Sequence, residues 1–514
     1  MSKTFHDLKI GLDDELEEQL QWLAPNYSSY HVLKKSVDAR RRGEPHFVYS
    51  VEVFGEGETP PDPTIQLDKS TKKTDPVLVI GAGPAGLFAA LRLLERGIPC
   101  ILIERGSPAE KRIHGINRFW RYGELDPNNN VCYGEGGAGL YSDGKLITRI
   151  KSPHIPYVMQ RLIECGAPEE IAYLSNPHVG SDKIRRVIPK LRKMILDLGG
   201  DIRFDTPIER LLIEKDHVVG VLTNTGESIR GQRVILAIGH SADDFFDRLH
   251  EDGIFMEGKS FAMGLRIEHP QSIINHIQYR GHADHPKLGA ANYKLTYHDK
   301  ETDRGIYSFC MCPGGYVLSS GTEADSLVCN GMSNYRRNSP YANAAMVVSV
   351  NFEKSFGTKD LFAGMKIRRQ LELAAKAQVV VAGGTKELPA QKLTDFFEGR
   401  TGEVSKGSSP SGTIPARLDK VLGDELTAHL RKGLEQIGRK MNGFITDEAQ
   451  LYGVESRTSC PLRITRDADT LQSVSHQGLY PAGEGAGYAG GITSAAVDGI
   501  KIADRIYLEL NSQS

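Results

Sequence analysis

The sequence predicts an α/β protein: a Rossmann-like nucleotide-binding domain that is discontinuous in the chain, an α+β substrate domain inserted into it, and a small α+β domain in front. Three observations predict it. A buried-type strand at 77–80 runs into Gly81, Gly83 and Gly86 and then into a helical pattern. Far downstream, Gly478 to Ile492 repeats the sequence of strand, glycine turn and helix start. Between them the alternation of strands and helices gives way to strand pieces separated by loops. The expected division is 1–54 for the first domain, 55–75 for a linker, 76–250 and 441–514 for the two parts of the nucleotide-binding domain, and 251–440 for the substrate or cap domain.

Taken in order, residues 8–10, 30–37 and 47–53 read as strands. Residues 13–23 read as a helix whose early acids, Asp13, Asp14, Glu15 and Glu17, suit the positive end of its dipole. Phe47, Tyr49, Val51 and Val53 share one face at period two. Pro60, Pro61 and Pro63 mark the linker. Residues 99–104 are the next apolar strand. Residues 182–198 have helical spacing through Ile184, Val187, Ile188, Leu191 and Ile195. Strands at 202–204, 208–213, 218–222 and 234–238 complete the first part. The inserted part is expected to hold strands at 261–267, 316–319 and 346–350 and a helix near 364–377. Residues 399–415, rich in Gly, Ser and Pro, read as an ordered loop or lid. A last helix spans about 492–510.

The first glycine motif has a mechanism. Gly81 permits a tight turn, Gly83 lets backbone approach a pyrophosphate, and Gly86 lets helix and strand pack closely. The helix N-terminus then offers free N–H groups to phosphate. Glu104 ends the following strand, where an acid accepts from ribose hydroxyls. The second motif makes FAD the expected dinucleotide. Gly483 allows close approach, Glu484 can accept from ribityl hydroxyls, and Gly490 and Gly491 open a helix whose dipole stabilises negative charge on a reduced flavin. Ala237, Ile238 and Gly239 end a strand in small residues where the chain passes beneath the cofactor.

These features resemble the FAD-dependent oxidoreductases with a glutathione-reductase-like FAD fold. The stretches from Tyr133 to Leu146, Ile238 to Asp244, Gly264 to Pro270, Phe309 to Gly315 and Asn330 to Ser333 look more narrowly like a poorly characterised group of bacterial and plastid FAD-dependent dehydrogenases. The likeness covers most of the chain. It implies the fold and FAD, and leaves the substrate open. The expected cofactor-binding set is Gly81, Gly83, Pro84, Ala85, Gly86, Glu104, Arg105, Arg112, Gly136, Gly137, Ala138, Gly139, Ile208, Ala237, Gly239, Gly483, Glu484, Gly490, Gly491 and Ile492.

Catalytic candidates are His240, Lys145 and Arg266. His240 follows the strand near the flavin and could donate to a substrate oxygen or relay a proton; the bland alternative is a loop histidine bonded to backbone. Lys145 could bind an anionic substrate near flavin N5, or be a solvated loop lysine. Arg266 could clamp a carboxylate, or form a structural ion pair with Glu268, which alternation places on the same face. Arg457, Arg463 and Arg466 offer positive charge to cofactor phosphates or an acidic substrate. Cys310 and Cys312 could point into one pocket as a redox pair, or pack as small hydrophobes. No metal site is expected.

Partners follow from charge and composition. A net charge of −2 creates no global field to gather nucleic acid, and no apolar run is long enough to span a membrane. Lys34, Lys35, Arg40, Arg41 and Arg42 form a basic run without the aromatic signature of an RNA module. Seven scattered cysteines and the acidic N-terminus point to a cytoplasmic location. The expected activity is hydride transfer between flavin N5 and a small-molecule substrate. No second complete nucleotide fingerprint is present, so NAD(P)H or a protein would serve as an external electron donor. The oligomeric state stays open. A flavin monooxygenase, or a non-catalytic FAD protein that senses redox state or recruits a partner, are the alternatives.

Overall fold

The computed structural model describes residues 2–40, 43–60, 65–357 and 360–512. Arg41 and Arg42 of the basic run therefore lie outside the described residues. The chain opens with an antiparallel sheet in which His46–Phe54 lies between Lys3–Gly11 and Ser29–Asp38. The helix Leu16–Leu23 covers it through Leu16 and Leu20. Phe47, Val51 and Val53 are buried, and they share one hydrophobic core with the largest sheet of the molecule. The small unit is thus docked rather than tethered.

Five parallel strands form the nucleotide-binding sheet, in the order Leu479–Pro481, Val234–Leu236, Val77–Ile80, Cys100–Ile103 and Asp201–Arg203. Val77–Ile80 is central and wholly buried, as an all-apolar strand covered on both faces must be. Leu236 pairs with both Ile80 and Pro481. The three strands therefore end level, and Gly81, Ala237 and Ala482 leave the sheet at one carboxyl edge, where open α/β sheets bind ligands. Helices Pro84–Glu95 and Ile492–Ser512 pack against each other. A β-carbon on Gly499 would lie 2.1 Å from the Ala85 carbonyl oxygen, so the crossing requires glycine. Ile208–Glu214, His217–Thr223 and Ser228–Arg230 make a separate antiparallel sheet.

The largest sheet has seven strands, in the order Thr296–Asp299, Arg304–Cys312, Tyr341–Val350, Phe261–Pro270, Gln450–Glu455, Leu388–Lys392 and Thr413–Pro415. It takes in Gln450–Glu455, past the expected border at 440. Helices Ala363–Val381 and Leu418–Lys440 pack on it. The loop at 399–415 is ordered by a buried acid: Glu268 accepts from the Ser408 hydroxyl, from Ser408 N–H at 3.2 Å and from the Tyr452 hydroxyl at 2.6 Å. Among the described residues, no helix is long and apolar enough to cross a membrane.

Candidate functional site

The carboxyl edge of the parallel sheet opens into a cavity of about 350 Å3. Gly81, at φ +102°, turns beneath Ala237; a β-carbon there would stand 2.3 Å from the Ala237 carbonyl oxygen. Gly83 caps the helix Pro84–Glu95 in extended conformation, without a side-chain cap. A β-carbon on Gly83 would meet nothing within 4 Å, because that side of the backbone faces the cavity. Gly490 and Gly239 are bare in the same way.

The two glycine motifs are brought together. Gly483, at φ +72°, lies against Ala85, with a β-carbon placed 2.9 Å from the Ala85 methyl. The turn holding Gly137 and Gly139 fits between them, against Gly83 on one side and Ile492 on the other. Gly83, Pro84, Ala85, Glu104, Arg105, Gly137, Ala138, Gly139, Ile208, Ala237, Gly239, Gly483, Glu484, Gly490, Gly491, Ile492 and Gly81 all line the cavity, as do Lys145 and His240.

Four expected site residues do not. Gly86 serves packing alone: its β-carbon would fall 1.8 Å from the Gly81 carbonyl oxygen. Gly136 lies behind the wall, donating to Ala82 O at 2.8 Å. Arg112 is fully buried and spends its guanidinium on the carbonyls of Asn130, Val131, Gly134, Glu135 and Gly137. It braces the glycine turn from inside, where no ligand reaches. Arg266 is also fully buried, and it pairs with Glu455 rather than Glu268, through two bonds of 2.9 Å. Asn343, Asn330 and the Cys310 carbonyl take its other donors. Arg266 is therefore a structural ion pair and not a carboxylate clamp.

Each polar group at the wall has a defined state. The Glu104 carboxylate accepts from the N–H groups of Ala82, Gly106 and Gly134 at 2.7–2.9 Å, tying three turns to one acid. Arg105 is bonded to Asp244 at 2.8 Å and stacks over Tyr133. Lys145 donates to the Met311 carbonyl and lies 3.0 Å from Asp143. Burial is the largest influence and opposes its charge, but Asp143, Cys312 and Cys310 together hold the ammonium above its ordinary range. Asp143 is held down at about 2, against its burial, by Lys145 and Arg337.

His240 bonds Ser241 Oγ at 2.8 Å. Burial first, then the charges of Arg368 and Arg457, press its imidazole down to about 3. That shift favours the neutral ring and the role of a neutral N–H donor. Burial pushes Glu484 up to about 7, with Lys259 opposing.

Of the three later arginines, only Arg457 lines the cavity, and its guanidinium is taken by Glu372 and Thr322. Arg466 is bonded to Asp498 and Pro481 O, and Asp498 also accepts from Gly483 N at 2.8 Å, so this pair fixes the second motif's turn. Arg463 lies over the Tyr488 ring.

The wall opposite the glycine motifs was missed as a site by sequence reasoning. It consists of Phe309 and Glu455 on strands of the seven-stranded sheet, Asn330 on the hairpin strand Cys329–Ser333, and Ile147 and Thr458 from loops. The signal was present: Phe309 and Asn330 fall in the stretches that carried the family likeness. Cys310 belongs to this wall too. Strand alternation would put Cys312 beside it, but a bulge between Phe309 and Cys312, with Cys310 at φ +44°, leaves Cys310 half-buried and Cys312 fully buried behind it.

Comparison with known proteins fits this geometry. The family model described as FAD binding domain matches residues 74–117. The one described as FAD-dependent protein, C-terminal domain-like, matches 260–458, and a domain of unknown function matches 11–54. An uncharacterized protein of Clostridium beijerinckii is 39% identical over 98% of both chains. The chain belongs to this family of FAD-dependent proteins.

The tetracenomycin B2 monooxygenase-dioxygenase of Streptomyces olivaceus is 30% identical over 30% of this chain and 31% of its own. The solved structure of CtdE in complex with FAD is 13% identical, spans 85% of this chain and 88% of that one, and has a TM-score of 0.33. The cofactor is FAD, and the protein is a flavoprotein of the oxidoreductase type. The residues suit that cofactor: the uncapped helix start at Gly83 and the bare backbone at Gly83, Gly239 and Gly490 leave room where a dinucleotide would lie.

Proposed function

We propose that this flavoprotein is a dehydrogenase or reductase that transfers hydride between flavin N5 and a small molecule held against the Phe309, Asn330 and Glu455 wall. The observation that carries this reading is a single cavity with the cofactor motifs on one side and, on the other, a wall that includes Phe309 and Glu455 from the seven-stranded sheet. Bound FAD supplies a two-electron carrier. The chain supplies position and environment. Phe309, half-buried, gives the wall an apolar surface. Lys145, a fixed cation at the wall, orients a substrate bearing an anionic or carbonyl oxygen. His240 offers a neutral N–H to a substrate oxygen without gaining charge. Thr206 and Ile208 border the opposite end, beside Glu104 and Arg105.

The absence of a second complete nucleotide fingerprint supports an external reductant, NAD(P)H or a protein, that visits rather than resides. The decisive experiment is anaerobic mixing of the purified yellow protein with NADH, NADPH and candidate substrates in turn, followed at the flavin absorbance band. Bleaching by a small molecule that is recovered with two fewer hydrogens supports the dehydrogenase. Bleaching by NAD(P)H that is re-oxidised by an organic acceptor without oxygen supports the reductase. Oxygen inserted into an aromatic compound would instead establish a monooxygenase.

A further inference from the structure

The bulge in the strand Arg304–Cys312 does more than break alternation. Residues two apart on a regular strand are separated by about 6.7 Å, near the outer limit for a disulfide. Here the bulge turns the Cys312 thiol back toward residue 310. The thiol lies 3.3 Å from the Cys310 carbonyl oxygen. Cys310 faces the flavin cavity and Cys312 is shut away from solvent. Lys145 is anchored to the carbonyl of Met311, the residue between them, so its ammonium lies beside the pair. A thiolate next to a lysine is the reactive form of cysteine.

We propose that Cys310 and Cys312 are a redox-active dithiol that exchanges two electrons with the FAD. In the reducing direction the Cys310–Cys312 S–S bond breaks. The sulfurs take two electrons and one proton from the anionic reduced flavin, leaving a thiolate on Cys310 and a thiol on Cys312, and the flavin is oxidised. The charge is −1 before and after, and Lys145 is placed to hold it on Cys310. The Cys312 hydrogen bond, aided by Lys145 and Arg266, draws the Cys310 thiol below its ordinary range, while Cys312 is pushed up, first by its bond to Cys310 and then by burial. The chemical class of the final partner follows: a disulfide or another two-electron acceptor able to meet Cys310 at the cavity wall. The inference rests on the FAD site and not on the identity of any small-molecule substrate.

The test uses the full-length holoprotein. It is treated with oxidised glutathione, freed of reagent, made anaerobic, and divided. One half is photoreduced at the flavin; both halves are alkylated with iodoacetamide, and the peptide carrying the two cysteines is weighed. Both cysteines should be protected before flavin reduction and alkylated after it. A reductive titration should consume about twice the electron equivalents per flavin in the wild type as in Cys312→Ser, since each couple takes two. Cys310→Ser, at the half-buried position, gives the same comparison if the buried replacement fails to fold. Free thiols after the oxidant, a disulfide that survives flavin reduction, or equal electron uptake in wild type and variants would each overturn the proposal. None of these readouts depends on substrate turnover, so a wrong dehydrogenase reading would leave them unchanged.

Discussion

Arg266 and Glu455 allow a direct contest between a structural and a substrate-binding arginine. Their side chains are 0% and 5% exposed, and two bonds of 2.9 Å join them. Burial disfavours the Arg266 charge, yet the Glu455 carboxylate more than restores it. Removing one partner leaves an uncompensated buried charge, which costs about 3–5 kcal/mol. For a domain of this size that is a fall in melting temperature on the order of 10 °C. Arg266→Met and Glu455→Leu should each melt early by that margin in circular dichroism. The double variant should recover much of the loss, because two well-packed apolar side chains replace a desolvated pair. An Arg266→Met protein that melts normally but shows a raised KM for its substrate would refute this reasoning and restore the clamp.

Other expectations follow from the same wall. Gly83→Val should fold with an unchanged melting temperature, since its side chain enters open space, yet retain FAD at least tenfold more weakly in a dialysis assay; Gly86→Ala should do the reverse damage, losing about 1–3 kcal/mol of stability through its clash with Gly81 O. Glu484 holds a proton in the folded protein that the unfolded chain releases, so its contribution to stability falls as pH rises from the carboxylate range through about 7. In flavin-free protein, Glu484→Gln should abolish that decline and be more stable above neutrality by on the order of 2–3 kcal/mol; identical melting profiles from pH 5 to 8 would contradict the assignment. His240→Gln should lower the rate of flavin reduction without moving its pH profile between 5 and 8, because the imidazole is already neutral there; a vanished inflection near 6.5 would show that it titrates in the working range.

What was legible in the sequence was what is local. The Gly81, Gly83 and Gly86 turn announces itself because each glycine answers to a neighbour within a few residues of chain or to backbone passing close by. The parallel sheet and the FAD site followed from it. Partner choice was not legible. Arg266 finds Glu455 across strands that are adjacent in space but 189 residues apart in sequence, while alternation pointed to the near neighbour Glu268. Arg112 looked like a cofactor arginine, and only the fold shows its two terminal nitrogens bonded to five carbonyls. The Cys310 bulge was invisible for a related reason: nothing in the residues Phe309 to Cys312 dictates a left-handed backbone at a cysteine.

The parallel sheet has one edge strand, Leu479–Pro481, that is made long after its neighbour Val234–Leu236. Synthesis runs from the N-terminus, so the growing chain leaves the Val234–Leu236 edge of that sheet unpaired while the whole seven-stranded sheet is still being made. Ile492–Ser512, which must press on Pro84–Glu95 to finish the site, comes later still. Flavin capture thereby waits until residues 479–512 have been made. A polypeptide cut short before residue 479, lacking Gly483, Glu484, Gly490 and Gly491, should be colourless.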